Sequence, residues 1–158
     1  MAVNNHPFSR GICHIRSANP KDKPILDPRY LSHPLDLEVL ARQTQYIETI
    51  VETKPFASLL KSSGRLPGGK EATSLDGAEE IVKERLFSTF HPTGTCAMMT
   101  EEIGGVVDTR LRVYGTKNLR VVDASMFPME TLGNIQATIY VVAERAADLI
   151  KEDWKRDV

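Results

Sequence analysis

The sequence predicts an α+β fold, a single domain over residues 1–158 with a mostly antiparallel sheet and helices packed on it. Three observations predict it. Two segments, 34–53 and 134–151, carry apolar residues at spacings of three and four. Short alternating or β-branched pieces stand apart from them at 11–17, 106–113 and 119–122. Prolines and glycines punctuate the connections.

In chain order, Ile12, Cys13, His14, Ile15 and Arg16 alternate, so a half-buried strand is expected with Cys13 and Ile15 on its inner face. It ends at Asn19-Pro20, and Pro24, Pro28 and Pro34 exclude a long helix before Leu35. Leu37, Leu40, Thr44, Ile47 and Val51 then form one stripe, which predicts an amphipathic helix over 34–53 that starts near Ser32 or His33 and ends at Pro55. A short helical piece is expected over 56–61, and a polar, glycine-rich surface loop over 62–77. Asp76-x-x-Glu79 resembles a capping box for a short helix through Ile81 and Val82. Val106-Val107 and Leu111–Val113 read as extended pieces beside the Gly104-Gly105 turn, and 119–122 as a compact apolar strand. Ile135, Ile139, Val142, Ala146 and Leu149 form the longest stripe, with Glu144, Arg145, Asp148 and Lys151 opposite.

Composition bounds the function. A chain of 158 residues buries roughly 70% of its unfolded surface, enough for a core. With 41% hydrophobic and 26% charged residues, disorder is not expected. Twenty Lys and Arg against 21 Asp and Glu leave a net charge of −1, which argues against a nucleic-acid or anionic-membrane partner and for a small-molecule ligand. Cys13 and Cys96 cannot build a disulfide framework and are expected as buried free thiols. No apolar run approaches the roughly 18 residues of a membrane span, and the opening MAVNNHPFSRG lacks the apolar stretch of a signal peptide, so a cytoplasmic location is expected.

Two apparent motifs fail. Gly64 to Glu71 nearly spells a P-loop, but Glu71 stands where the Mg²⁺-binding hydroxyl belongs. No G-x-G-x-x-G occurs, so the chain cannot hold NAD or FAD alone by that fingerprint. His6, His14 and His33 make no metal triad, and no metal is expected. His91 differs, because Pro92 restricts its backbone and Thr93-Gly94-Thr95 follows as a hydroxyl-bearing turn. On local features it is either a packed or capping histidine or a catalytic one.

The run Phe90–Met98 (FHPTGTCAM), then Gly105–Asp108 (GVVD), Leu111–Gly115 (LRVYG) and Asn118–Ser125 (NLRVVDAS), resembles the C-terminal signature of the glucose-methanol-choline family of FAD-dependent alcohol oxidoreductases. Ser9-Arg10-Gly11 and Pro28–Leu31 are similar to the family's substrate-domain entry, so the likeness covers nearly the whole chain. The resemblance implies that 119–122 and the last helix derive from a nucleotide-binding fold. It makes His91 the catalytic histidine and Asn134 its partner, 43 residues away. Asp123, Ala124, Ile135 and Gln136 would lie against the flavin if FAD were supplied with a partner. Oxidising an alcohol builds negative charge on its oxygen; an imidazole can take the hydroxyl proton while an amide N–H holds the oxygen. Asp123 as a turn cap and Asn134 as a helix N-cap remain open alternatives.

The family's N-terminal flavin-binding half has no counterpart in this sequence. The apolar faces of 119–122 and of the last helix would then lack their cover, so either they fold back on the substrate-domain sheet or, as is favoured, they pair in a homodimer or with a partner chain. The favoured reading is a free-standing acid/base catalyst, with His91 and Asn134 acting on a small organic molecule without any cofactor, in isomerisation, dehydration, cyclisation or C–C cleavage. The alternatives are the C-terminal portion of an FAD-dependent alcohol oxidoreductase that works only with a flavin-binding chain, and a non-catalytic binding remnant.

Overall fold

The computed structural model describes residues 2–61 and 71–156. The P-loop-like stretch, apart from Glu71, lies outside the described residues. Contacts divide the chain into two compact units, Met1–Phe87 and Ser88–Val158. The α+β class holds, with three helices and one small antiparallel sheet among the described residues.

In the first unit, β1 (Ile12–His14) pairs with β2 (Ile25–Asp27) in the register Ile12 to Asp27, Cys13 to Leu26 and His14 to Ile25. The strand expected over 11–17 is thus only three residues long. Its expected inner face is in water: Cys13 is exposed and Ile15 is 87% exposed. Alternation tells which residues share a face, and burial then depends on a second layer that this ribbon lacks at Ile15. The thiols correct the same way, with Cys13 exposed and Cys96 half-buried.

Helix α1 (Pro34–Val51) follows the predicted stripe. Leu40 and Ala41 are buried, and Leu37, Thr44, Ile47 and Val51 are half-buried. His33 is the N-cap; its Nδ1 accepts from the Leu35 N–H at 3.3 Å, and Pro34 occupies the first turn, where a missing N–H costs nothing. The piece Phe56–Leu59 is a 3₁₀ turn. Helix α2 (Leu75–Arg85) starts two residues before the expected loop ends, because the cap is Ser74 rather than Asp76: its Oγ accepts from the Gly77 N–H at 3.1 Å. Gly77 is required there, since a Cβ would meet the Glu71 carbonyl oxygen at 2.0 Å. Helices α1 and α2 pack on each other and bury Ala78, Ile81 and Val82 of α2.

The second unit is built on Val107, Leu111, Met126 and Ala146, with Met98, Val106, Val113, Val121, Phe127 and Val142 packed around them. Ala146 and Val142 belong to helix α3 (Gln136–Arg156), so the long stripe is buried inside its own unit. Tyr140, Val141 and Trp154 of the same helix are exposed. The predicted strand over 119–122 is corrected: it makes one bridge, Arg112 with Arg120, supported by Val113 N–H to the Leu119 carbonyl at 3.0 Å and Val121 N–H to the Leu111 carbonyl at 3.1 Å. Val121 packs inward, while Leu119 and Val122 are exposed. The side chain of Arg120 turns to α3 and donates to Asp153, which Arg110 also grips at 2.6 Å. The hydrogen bond from Arg110 holds the Asp153 carboxyl below the usual carboxylate range. This ion-paired group fastens the far end of α3 and leaves its beginning to the site.

Candidate active site

His91 and Asn134 both lie in the second unit. Two backbone hydrogen bonds bring their segments together: Cys96 N–H donates to the Ser125 carbonyl at 2.9 Å and Met98 N–H to the Met126 carbonyl at 2.8 Å. The chain after His91 therefore runs beside the chain that leads to α3. At Gly94, φ is +85°, and a Cβ there would touch the Phe127 carbonyl oxygen at 3.4 Å, so the turn after His91 is seated close on the same segment. On the other side of His91, Phe90 has φ of +61° and is 85% exposed. Its N–H donates to Ser88 Oγ at 2.9 Å, which helps to hold a backbone conformation unfavourable for a side chain of this size.

The side chains meet: Asn134 Nδ2 stands 3.4 Å from His91 Nε2. Which atoms face each other follows from the rest of the network. Asn134 Oδ1 accepts from the Gln136 N–H at 2.9 Å, capping the first turn of α3. With the amide oxygen occupied, the NH₂ end turns to the imidazole. An NH₂ group can only donate, so the matching neutral imidazole carries its proton on Nδ1 and presents a bare Nε2. Asn134 thus satisfies the Gln136 N–H at the start of α3 and faces His91 at once.

Such an arrangement can exchange a proton with a bound molecule. A hydroxyl placed before the pair can give its proton to Nε2 while its oxygen accepts from the amide. The contact of 3.4 Å is long for a hydrogen bond, so a substrate oxygen competes with it at little cost. His91 is half-buried and Asn134 exposed.

The flavin-contact candidates separate. Gln136 joins Asn134, Ala137 and Tyr140 around an open depression of about 380 Å³. Asp123 and Ala124 do not line it. The Asp123 carboxylate accepts from the Ser125 N–H at 2.8 Å and caps the 3₁₀ turn Ala124–Met126, the turn-cap alternative. The Ile135 side chain is buried, which leaves only its backbone for a ligand. Sequence reasoning missed Ala137 and Tyr140, which fall one turn past Asn134 and Gln136 on the same helix face and could have been found by extending that face. Among the described residues no group of three metal-ligating side chains occurs, and no helix is long and apolar enough to cross a membrane.

Comparison with known proteins points to one family. The family model described as GMC oxidoreductase matches residues 7–143. The dehydrogenase citC of Monascus ruber is 41% identical over 150 residues, which are 95% of this chain and 23% of the relative. The alcohol dehydrogenase [acceptor] of Pseudomonas putida is 37% identical over 144 residues, covering 91% of this chain and 26% of that protein. Among solved structures, an FAD-dependent oxidoreductase from Chaetomium thermophilum superposes with a TM-score of 0.87 at 36% identity, covering 95% of this chain and 26% of the other. The chain spans about a quarter of the length of the relatives it matches.

Proposed function

Because this chain belongs to the GMC oxidoreductase family, we propose that it is the proton-handling C-terminal portion of a flavin-dependent alcohol oxidoreductase, working with a flavin-bearing region supplied by other polypeptide. The observation that carries the reading is the contact between His91 Nε2 and Asn134 Nδ2, with the amide oriented by the Gln136 N–H. The relatives' names, dehydrogenase and alcohol dehydrogenase, favour redox chemistry over the flavin-free reaction that the sequence alone favours.

The residues present fit one part of FAD. The depression beside Asn134 is bounded by two side-chain amides, a methyl group and a phenol, with no charge, which suits an edge of a flat uncharged ring. A diphosphate would need a glycine-rich loop at a helix start, and no such fingerprint occurs in the sequence. Gln136 and Asn134, with the backbone of Ile135 between them, would hold the ring system, and the rest of the molecule would bind elsewhere. FAD, when bound, supplies the two-electron acceptor that alcohol oxidation requires.

This chain's residues handle the proton. His91 Nε2 accepts the hydroxyl proton as the carbinol oxygen gains charge, and the imidazolium keeps it until it is lost to water. The Asn134 N–H donates to that oxygen and stabilises it more as negative charge develops, which lowers the barrier. Its committed carbonyl keeps the amide from turning its oxygen toward the substrate.

The test joins this chain to the remaining N-terminal region of the Chaetomium protein and follows flavin absorbance without oxygen while primary alcohols and sugars are added. The proposal expects a yellow assembly that at least one alcohol bleaches, and an isolated chain that turns nothing over. Turnover of an alcohol or carbonyl compound by the colourless isolated chain would instead establish the flavin-free reading.

A further inference from the structure

The base and its amide partner stand on two loops, and among the described residues backbone pairing fixes those loops to each other at Cys96 and Met98, five and seven residues beyond His91. Closer in, one carboxylate spans them. Thr93 Oγ1 donates to Glu130 Oε2 at 3.4 Å, while Glu130 Oε1 accepts from the Thr131 N–H at 3.3 Å. Thr131 Oγ1 then donates to the Gly133 carbonyl at 3.0 Å, next to Asn134. Thr93 and Glu130 are both half-buried. A carboxylate withdrawn from water loses hydration, and its hydrogen bonds are less diluted by solvent than those of a fully exposed one.

We propose that Glu130 is a positioning residue, clamping the turn that carries His91 to the loop that carries Asn134 so that Nε2 stays bare toward the amide. The inference rests on the His91–Asn134 pairing of the proposed function and adds the element that maintains it. Thr93 is two residues from His91, and Glu130 is four from Asn134. A hydrogen bond so near both ends, even a long one, restrains the separation of the two side chains where the backbone bonds further along the chain do not reach. Through its hydrogen bonds to Thr93 and Thr131, Glu130 acts on the spacing of the pair.

Nitrogen NMR of the His91 ring in the 158-residue chain, at alkaline pH, reads this without any turnover. In the natural chain the Nδ1–H tautomer should predominate, opposite to the preference of a free imidazole. Glu130→Ala should lower the ratio of Nδ1–H to Nε2–H about twofold, as expected from losing one long hydrogen bond, weaker than an ordinary one. Thr93→Val should do the same, the double variant should fall no further, and Glu130→Gln, whose carbonyl still accepts from Thr93, should recover most of the ratio. Should Glu130→Ala fail to fold, Thr93→Val and Glu130→Gln decide alone. An unchanged ratio in Glu130→Ala or Thr93→Val, or effects that add in the double variant, overturns the clamp and leaves the pair standing. A natural chain that already shows Nε2–H overturns both the clamp and the pair.

Discussion

The two long helices begin in opposite ways. At the start of α1 the polar groups are spent on an arm of the same unit: His33 caps Leu35 and stacks on Phe8 with ring centroids 5.0 Å apart. Asp36, only 3% exposed, accepts from Asn4 Nδ2 at 3.3 Å, the Phe8 N–H at 2.8 Å, the Ser9 N–H at 2.7 Å and Ser9 Oγ. At the start of α3, Asn134 caps with its oxygen alone and leaves its NH₂ facing an imidazole beside open space. The first helix start uses its polar groups to fasten an arm, whereas the second keeps a donor and an acceptor available. Both are caps, and only the one left incomplete can bind something.

The sharpest way to break this contrast is at Asp36. Asp36→Ala leaves buried N–H donors without a partner and should lower unfolding stability by about 3 kcal/mol in denaturant titrations, with Asp36→Asn costing about half of that. A loss below 1 kcal/mol would show that the arm is not fastened there. The same carboxylate gives a pH dependence. Burial works to raise its pKa, but the hydrogen bonds from the Ser9 side chain and the Phe8 and Ser9 N–H groups outweigh this and hold it below the ordinary 3.8. A depressed folded-state pKa contributes stability that is complete above the unfolded value and lost as pH falls through the folded one. The advantage of the natural chain over Asp36→Asn should therefore be flat near neutrality and shrink below about pH 4; an advantage that grew on acidification would reverse the sign.

At α3 the expected stability effects are smaller. Asn134→Ala removes one cap and should cost about 1 kcal/mol. Asn134→Asp keeps the acceptor for the Gln136 N–H and should stay within about 0.5 kcal/mol of the natural chain. Yet it replaces the donor facing the substrate oxygen with a negative charge, so flavin bleaching in the joined protein should slow by about 10²-fold or more. Equal losses of stability and rate in both variants would reduce Asn134 to a cap. The smallest effect is expected at Phe90, whose ring is largely in solvent. Phe90→Gly relieves a left-handed backbone against a modest entropy cost and should stabilise the chain by about 0.5 kcal/mol in thermal melts. A loss of more than 1 kcal/mol would mean that the ring is held by packing.

What could be read from the sequence divides along the same physical line. The stripes of α1 and α3 were legible because helix burial follows a local period, and Leu40, Ala146 and Leu149 are buried where the period puts them. The pairing of His91 with Asn134 came from the family resemblance, since no local rule connects side chains 43 residues apart. Burial of Asp36 was invisible for the same reason: its partners Asn4, Phe8 and Ser9 lie 27 to 32 residues away. The strand expected over 119–122 failed because apolar content sets a propensity, whereas a ladder needs a neighbour along its length, and only Arg112 pairs with Arg120. Ser74 was overlooked in favour of Asp76 because both are good caps, and the tight space at Gly77 decides between them.

The central claim, that His91 Nε2 is the proton acceptor for a substrate hydroxyl, is tested most directly by the single-turnover rate of flavin bleaching by an alcohol in the joined protein with His91→Ala. The account predicts a fall of about 10²- to 10⁴-fold with helix content and melting unchanged, partly restored by added imidazole. Bleaching at the natural rate would contradict it.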